Sequence, residues 1–268
     1  MYLSDFHVHT DLSPDSSTDI LDICDAAIER GMNVICITDH WECGEICLGW
    51  QLRRKPFDQE RCISQFEKAK EYCEGRVELL FGVEIGNWHE DLVHGEIALN
   101  MYPVDFVLGS LHTIGGEDSY FVDYKRPDAN SLLHQYIVES GQMASQVPID
   151  ALGHLTLPQR YAYTKEGITL SYKDSWAAID DVLKIIIDNG IALEANTCGG
   201  RIQDPVLPGV DVFSRYKELG GELVTIGSDG HNVDHVAVGV REVQRLLREL
   251  GFVYHFTYKE RKPVAHRL

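Results

Sequence analysis

Nine residues of the types that bind metal ions occur in short clusters along this chain of 268 residues. Nearly every cluster lies just after an apolar stretch that predicts a β-strand. Because the carboxyl ends of the strands meet at one end of a parallel barrel, such clusters would come together in the folded protein. The pattern therefore predicts a polynuclear metal centre at one end of a barrel. Its candidate ligands are His7, His9, Asp15, His40, Glu84, His112, His154, Asp229 and His231.

The candidate ligands are imidazoles and carboxylates, without a thiolate. This donor set is typical of hydrolytic sites for zinc, manganese or iron, whereas a structural zinc site more often uses cysteines and closes its coordination shell. Nine ligands are too many for one ion. Shared among two or three ions, they leave coordination positions open for water and substrate, and a carboxylate such as Glu84 can bridge two metals.

Apolar strands alternate with amphipathic helical stretches along the chain, which predicts repeated βα units and a parallel sheet. Thr18 is a candidate amino-terminal cap for the first helix, which would end at Gly31. A last apolar segment, 252–258, could be one more strand that closes or flanks the barrel. Seven strands are predicted at 3–9, 34–38, 79–85, 105–111, 149–155, 191–196 and 223–227. Further helices are predicted at 58–74, 131–145, 175–189, 211–219 and 238–250.

The candidate ligands fall at or just past the ends of different predicted strands, which is where barrel enzymes place their chemistry. In the segment His7-Val8-His9, the alternation of a strand directs both imidazoles to one side and Val8 to the other, so both can bind the same ion. A His-x-His pair alone is a weak signal. Its conjunction with ligands at the ends of five other strands favours a functional site.

Composition and charge exclude several other classes of protein. With 44% hydrophobic residues and no repeat or Pro/Gly linker, residues 1–268 are expected to form one domain with a full core. No terminal apolar run has the length of a signal peptide or membrane span, and the seven cysteines lack the dense spacing of a disulfide framework. These features favour a cytoplasmic protein without a membrane partner. A formal charge of -18 disfavours nucleic acid as the main partner.

The clusters resemble the motifs of the PHP (polymerase and histidinol phosphatase) superfamily of metal-dependent phosphoesterases. The resemblance extends over essentially the whole chain and implies an α/β fold, a distorted seven-stranded (β/α) barrel of the PHP type. The matching motifs are His7-Val8-His9, Thr38-Asp39-His40, Glu84 followed by His112 and His154, and Ser228-Asp229-Gly230-His231. The implied metal sets are His7, His9, Glu84 and Asp229 for one ion, Glu84, His112 and His154 for a second, and Asp15, His40 and His231 for a third.

Within the superfamily, segments 153–161 and 194–201 resemble the stand-alone histidinol-phosphate phosphatases of histidine biosynthesis. That resemblance implies hydrolysis of a small phosphorylated substrate, L-histidinol phosphate, by metal-activated water. Arg160 and Arg201 lie in predicted strand-end loops, where their guanidinium groups would bind the phosphate. Asp15 and His40 are candidates for assisting the leaving group. Thr156 is a departure, because many relatives carry Asp there, and this difference bears on substrate selection.

Two other functions remain open on the same scaffold. A PHP-type phosphodiesterase, nuclease or protein-tyrosine phosphatase would be favoured by a wide or basic mouth, and a non-enzymatic metal-binding barrel would be favoured by an incomplete ligand set. Amidohydrolases also begin with His-x-His but usually carry a bridging lysine on a middle strand, which this chain lacks. Beside the ligands, Trp41 could stack on a substrate imidazole or pack as an aromatic lid over core residues, and Glu42, Glu45 or Asp123 could contact a cationic amine.

Overall fold

A sheet of parallel strands lies at the centre of the part of the chain that the computed structural model describes, which is residues 1–46, 49, 57–198 and 204–268. In chain order the strands are β1 (Ser4–Val8), β2 (Val34–Ile37), β3 (His40–Glu42), β4 (Glu78–Gly86), β5 (Phe106–Ser110), β6 (Thr113–Ile114), β7 (Glu117–Asp118), β8 (Ala151–Leu152), β9 (Ala192–Asn196), β10 (Val224–Gly227), β11 (Tyr254–Lys259) and β12 (Lys262–Arg267). Strands β1, β2, β4, β5, β8, β9 and β10 lie side by side in this order, and β3 pairs with the end of β4. The seven strands predicted from the sequence are these seven.

Helices connect the strands and cover the outside of the sheet. They are α1 (Ile20–Glu29), α2 (Gln59–Cys73), α3 (Leu92–Leu99), α4 (Ala129–Gln146), α5 (Pro158–Glu166), α6 (Trp176–Asp188), α7 (Val210–Glu218) and α8 (Val240–Glu249), with short 3-10 turns at Trp88–Glu90 and Lys173–Ser175. The cap of α1 is Asp19, whose carboxylate accepts a hydrogen bond from the Leu21 N–H at 2.8 Å, so the prediction of Thr18 was wrong by one residue. No helix in the described ranges is both long and apolar enough to cross a membrane.

The sheet curls until its two outer strands approach each other, which produces a nearly closed barrel. Val8 forms a parallel bridge with Gly230, just after β10, and the His9 N–H donates to the Gly230 carbonyl at 2.9 Å. The buried Asp5 carboxylate fastens this junction. It accepts hydrogen bonds from the backbone N–H groups of Ser228 and Ala237, each at 2.8 Å, and from the Ser228 hydroxyl at 2.6 Å.

An irregularity in β1 decides which of its side chains face the barrel interior. Asp5 pairs with Ile35 and Val8 with Ile37, so β1 has one more residue than β2 over this interval, as in a β-bulge. Phe6 belongs to the interior apolar cluster, whereas Val8 packs in the outer one. The extra residue allows Phe6 to fill the barrel while the side chains of His7 and His9 both reach the mouth.

Two apolar cores stabilise the barrel. The larger core lies between the sheet and the helices, and the smaller one fills the barrel interior with side chains such as Phe6, Leu108 and Tyr258. Tyr258 comes from the antiparallel hairpin β11–β12, and its ring centre is 5.2 Å from that of Phe106. The hairpin covers the amino-terminal end of the barrel, where Arg261 bonds to the Asp150 carboxylate just before β8. The mouth at the opposite end is therefore the open one.

Several details of the fold differ from the sequence-based expectations. Segment 252–258 does form a strand, β11, but it does not close the barrel laterally; it pairs with β12 beneath it. Strand β8 has two residues where 149–155 was predicted. Helices α3 and α5 and the small hairpin β6–β7 were not predicted.

The hairpin also provides a test of the packing through a buried histidine. His255 is fully buried, and burial together with the nearby His266 lowers its pKa to about 4. Because the folded state favours the neutral imidazole, its contribution to stability is complete above the unfolded-state pKa of about 6.5 and is lost as the pH falls towards 4. We expect the free energy of unfolding to fall by up to about 3 kcal/mol from this group over that range.

Urea unfolding of the metal-free protein between pH 7 and pH 4 measures this loss. His255→Gln should make the pH dependence shallower, while the same change at the exposed His134 should leave it as in the wild type. Equal slopes for wild type and His255→Gln would contradict the prediction.

Candidate metal centre

The nine predicted ligands converge at the carboxyl ends of the strands, as the sequence indicated. Seven of them line one cleft of about 220 Å³ that opens to solvent, and His7 and His9 are buried directly beneath it. Together the nine ligands lie in, or follow, six strands of the sheet: β1, β3, β4, β5, β8 and β10. The seven ligands that line the cleft are Asp15, His40, Glu84, His112, His154, Asp229 and His231.

Glu84 lies at the centre of this group. It is fully buried on β4, and five imidazoles approach its two carboxylate oxygens. Oε1 is 3.1 Å from His154 Nε2, 3.3 Å from His112 Nε2 and 3.4 Å from His7 Nε2, and Oε2 is 3.0 Å from His40 Nδ1 and 3.5 Å from His9 Nε2. One carboxylate therefore faces donors from nearly every side of the barrel, as a bridging ligand would.

Two further carboxylates complete the group nearer to solvent. Asp229 Oδ1 lies 3.2 Å from His231 Nδ1 and 3.7 Å from His9 Nε2. Asp15, the most exposed of the nine, lies 2.9 Å from His231 Nε2 and 3.6 Å from His40 Nε2. The structure therefore brings Asp15 together with the two histidines that the resemblance assigns to the same ion.

Potential metal-binding donor atoms lie within 4.8 Å of one another in four groups of three among the described residues. These groups overlap with the three ligand sets implied by the resemblance, although they divide the histidines differently. The assignment of each ligand to a particular ion therefore stays a prediction. The four groups are His7, His9 and Asp229; His7, Glu84 and His154; His40, Glu84 and His112; and His9, His40 and His231.

An outer layer of polar groups fixes the orientation of the imidazoles. The Glu194 carboxylate on β9 lies 2.6 Å from His7 Nδ1 and also accepts the backbone N–H of His154 at 2.6 Å. The Ser13 hydroxyl lies 3.1 Å from His9 Nδ1 and donates to Asp39 at 2.6 Å. Such partners set which ring nitrogen carries the proton and increase the basicity of the other. Sequence reasoning missed Glu194, although its position near the end of a predicted strand was a usable signal.

The positions of the ring hydrogens indicate that the donor set fits divalent cations. His7 Nδ1 faces the Glu194 carboxylate and His231 Nδ1 faces the Asp229 carbonyl at 3.0 Å, and both oxygens can only accept hydrogen bonds unless the carboxylate is protonated. The Nε2 lone pair of each neutral ring then points at another carboxylate. Buried His7 Nε2, His9 Nε2 and Glu84 Oε2 have no hydrogen-bond partner among the described residues. Lone pairs that face each other in this way require a cation between them.

The charges of the metal-free site lead to the same conclusion. Burial would lower the pKa of His7, but the negative charges of Glu194 and Glu84 outweigh this effect and hold its pKa well above the ordinary value. Burial would raise the pKa of Glu84, but the imidazolium charges of His7 and His40 hold it well below its usual range. Protons on histidine thus balance the buried carboxylates, and bound metal ions would replace those protons.

Arg160 is the predicted phosphate-binding residue whose position the structure describes. It lies on α5, lines the cleft and is largely buried. Its guanidinium donates a hydrogen bond to the Asp229 carboxylate and another to the Tyr161 hydroxyl at 3.1 Å. A planar group held in this way has further N–H donors for an anion in the cleft. The other predicted phosphate-binding residue, Arg201, lies outside the described residues.

The rim of the cleft is aromatic and acidic. Tyr120 and Phe121 follow the β6–β7 hairpin, and the Tyr120 ring lies edge-on to that of Tyr161 at 5.4 Å. Asp118 contributes a carboxylate to the same rim. These residues were not predicted, because they lie in a loop without strand or helix periodicity.

The structure corrects two expectations about residues beside the ligands. The Trp41 ring stacks on His94 with ring centres 4.9 Å apart, and its indole N–H donates to the His94 carbonyl, so it packs outside the cleft. The Glu42 carboxylate lies 2.8 Å from His112 Nδ1 and 3.0 Å from His40 Nδ1. It therefore contacts two candidate metal ligands, and this contact was not expected from the sequence.

Comparison with known proteins identifies the family. A family model described as the PHP domain matches residues 5–198, which is most of the chain and includes seven of the nine candidate ligands. The chain belongs to the PHP family. This assignment confirms the resemblance seen in the sequence motifs.

Individual PHP proteins extend the similarity over nearly the whole length. The chain is 31% identical over 245 residues to a Clostridium acetobutylicum protein named "Probable histidinol-phosphatase", covering 90% of this chain and 91% of the relative. It is 25% identical over 266 residues to the histidinol-phosphatase of Lactococcus lactis, with 92% and 91% covered. A crystal structure of the Lactococcus lactis histidinol phosphate phosphatase, complexed with zinc, L-histidinol and phosphate, matches with a TM-score of 0.81, 20% identity and 98% coverage of both chains. The structural match confirms the predicted barrel.

The role of Glu194 in this PHP protein can be tested by metal binding. Glu194→Gln keeps the size of the side chain but replaces the charged acceptor behind His7 with a neutral amide, so we expect zinc affinity to fall roughly 10- to 100-fold. Competition with a chromophoric chelator measures the affinity. Glu218→Gln, an equal change on exposed α7, is the control. Unchanged affinity in Glu194→Gln would rule out the orienting role.

Proposed function

We propose that this PHP protein is a metal-dependent phosphomonoesterase that hydrolyses L-histidinol phosphate to L-histidinol and phosphate. The observation that carries the proposal is the convergence of a full set of imidazole and carboxylate ligands beside a buried, oriented arginine in one open cleft. The relatives named as histidinol-phosphatases and the relative that binds zinc, L-histidinol and phosphate support this choice of ester.

The proposed cofactor is a group of two or three divalent ions, zinc, manganese or iron, held by the nine candidate ligands. When bound, such ions lower the pKa of a coordinated water and neutralise phosphate oxygens. His7, His9 and Asp229 would hold the inner part of the group, and Asp15, His40 and His231 the part nearest to solvent. Glu84 would contribute to more than one ion, since its two oxygens face donors on both sides.

The role of the polypeptide is to bind the phosphate and keep it in one orientation. Arg160 would donate to the phosphate oxygens from the side of the cleft, because its bonds to Asp229 and the Tyr161 hydroxyl fix its plane. The preorganised guanidinium stabilises negative charge that develops on those oxygens in the transition state. We propose that Arg201 supplies a second guanidinium, on the basis of the sequence resemblance. Asp15 and His40 are the proposed residues for assisting departure of the alcohol, since both line the cleft.

The rim fits the organic part of the proposed substrate. Tyr120, Phe121 and Tyr161 offer aromatic surface to an imidazole ring, and Asp118 offers a carboxylate to a protonated amine. An aromatic and acidic rim disfavours a polyanionic substrate such as a nucleic acid, for which a basic rim would be needed. The completeness of the ligand set likewise disfavours a barrel that only binds metal.

The domain organisation and the cellular location of the enzyme are also proposed. We propose that residues 1–268 work as one domain, because strands from both ends of the sequence meet in the same barrel. We also propose a cytoplasmic location, because the six described cysteines are buried and form no disulfide with one another.

A panel of phosphate esters tests the choice of substrate. With protein loaded separately with zinc, manganese or iron, we expect kcat/KM for L-histidinol phosphate to exceed that for a phosphotyrosine peptide or a dinucleotide diester by at least about 100-fold, because only the first places a small aromatic amine against the rim. Phosphate release measures turnover. A preference for the peptide or the diester would refute the substrate assignment.

The metal ligands are tested in the same assay. His9→Ala and Glu84→Gln should each abolish phosphatase activity while the protein stays folded, since each removes a central donor. Circular dichroism checks the fold, and metal analysis checks the loading. Turnover at the wild-type rate in metal-replete buffer would contradict the proposed site.

Arg160 is tested by separating phosphate binding from metal loading. Arg160→Met removes the guanidinium and should lower kcat/KM by roughly 100- to 1000-fold, as loss of a preorganised donor to a developing oxyanion does. Arg160→Lys should recover only part of this loss, because a point charge cannot replace the planar fork. The metal content of each variant is measured in parallel, since Arg160 also bonds Asp229. A normal kcat/KM in Arg160→Met would exclude a phosphate-binding role.

A further inference from the structure

Glu42 occupies an unusual place at the edge of the metal centre. It ends β3, a strand of three residues that pairs with the last part of β4, and its side chain is almost fully buried although it borders the cleft. A buried carboxylate is costly unless it is paired, so its contacts indicate what it does.

The contacts of Glu42 join two imidazoles that the ligand sets implied by the sequence resemblance give to different ions, although the donor atoms of both also lie close together around Glu84. Its Oε1 atom lies 2.8 Å from His112 Nδ1 and 3.0 Å from His40 Nδ1. A carboxylate only accepts, so the hydrogen must lie on Nδ1 of each ring, and each Nε2 lone pair is then free to bind metal. His112 Nε2 faces Glu84 and His40 Nε2 faces Asp15, on opposite sides of the cluster.

The backbone opposite Glu42 is shaped to receive its carboxylate. Gly86 on β4 is the partner of Glu42 in the parallel pairing. A Cβ atom at Gly86 would lie 2.2 Å from Glu42 Oε2 and 2.7 Å from His112 Nδ1. The absence of a side chain at residue 86 therefore makes the room in which the carboxylate and the imidazole meet. Gly86 has ordinary backbone angles, so this space is the structural requirement for glycine.

We propose that Glu42 is a positioning residue that orients His40 and His112 together and so couples the binding of two ions. The inference rests on the proposed function, which makes those histidines ligands. Glu194 acts behind His7 in a similar way, and Glu42 differs in that one oxygen serves two ligands.

The consequence is a specific pattern of metal loss. Without the carboxylate, His40 and His112 would both lose their fixed tautomer and orientation, and we expect the affinity of two ions to fall roughly 10- to 100-fold each. The ion bound by His7, His9 and Asp229 should keep its affinity, since Glu194 and Ser13 orient His7 and His9 from the other side of the barrel mouth.

The first experiment measures zinc binding to Glu42→Gln by chelator competition, with the number of bound ions as the readout. At a chelator concentration where the wild type keeps three ions, the variant should keep only one; a wild type that holds only two ions would overturn the inference, because it requires two ions that depend on Glu42 and one that does not. Asp118→Asn is the matched control, because it removes the same charge from the same cleft but Asp118 bonds the Tyr120 N–H and no candidate ligand. It should bind zinc within about threefold of the wild type.

A second variant changes the position of the carboxylate without removing it. Gly86→Ala should displace the Glu42 carboxylate and the His112 ring and reproduce the loss of two ions. Gly209→Ala places a methyl group against the Tyr172 hydroxyl far from the cleft and controls for the strain of the added atom. In the zinc-loaded wild type, downfield N–H resonances of His40 and His112 should be visible by NMR, and both variants should lose these two while they keep the resonance of His7, which faces Glu194.

The outcomes separate this inference from the proposed function. If the wild type binds no zinc tightly, the proposed metal function fails. If the wild type binds two or three ions and Glu42→Gln binds them equally well, the proposed function stands and the positioning role of Glu42 is overturned. Loss of one ion alone would also overturn it, because the proposal requires that two ions depend on the same carboxylate.

Discussion

The structure depends on a buried negative charge that needs cations around it. Glu84 is fully buried at the middle of the barrel mouth, and no apolar contact could compensate for the loss of its hydration. Histidines from five positions along the chain converge on it, and a further layer of carboxylates and hydroxyls orients those histidines. Because each layer is charged or polar and faces the next, the site is stable only when positive charge, from protons or metal ions, occupies its centre.

The sequence was sufficient to predict the barrel and the convergence of the candidate ligands, because both depend on local patterns. Short apolar runs separated by amphipathic stretches specify parallel strands, and strand ends meet at one mouth in any such barrel. A ligand such as His154 could therefore be found from its place after a predicted strand. The common orientation of His7 and His9 also followed from strand alternation. The sequence did not reveal the bulge in β1, which lets Phe6 point into the barrel interior while both histidines reach the mouth.

The sequence could not predict features that depend on contacts between residues far apart in the chain. The places of Glu194 and Glu42 near strand ends are visible in the sequence, but their roles depend on contacts with His7 and His112, which belong to other strands. The strand β12 is rich in polar residues, so only its pairing with β11 defines it. Helix α5, which carries Arg160, is short and has little amphipathic pattern, so tertiary contacts rather than periodicity determine it.

The junction between β1 and the segment after β10 has a consequence for when the protein becomes able to hold metal. His9 and Gly230 are direct backbone neighbours, yet more than two hundred residues separate them in the sequence. During synthesis the histidine pair emerges from the ribosome long before Asp229, and an incomplete chain has no carboxylate with which to finish that corner of the cluster. Under the proposed function, metal loading would therefore come at the last stage of assembly, and a chain that stalls earlier would lack the finished centre.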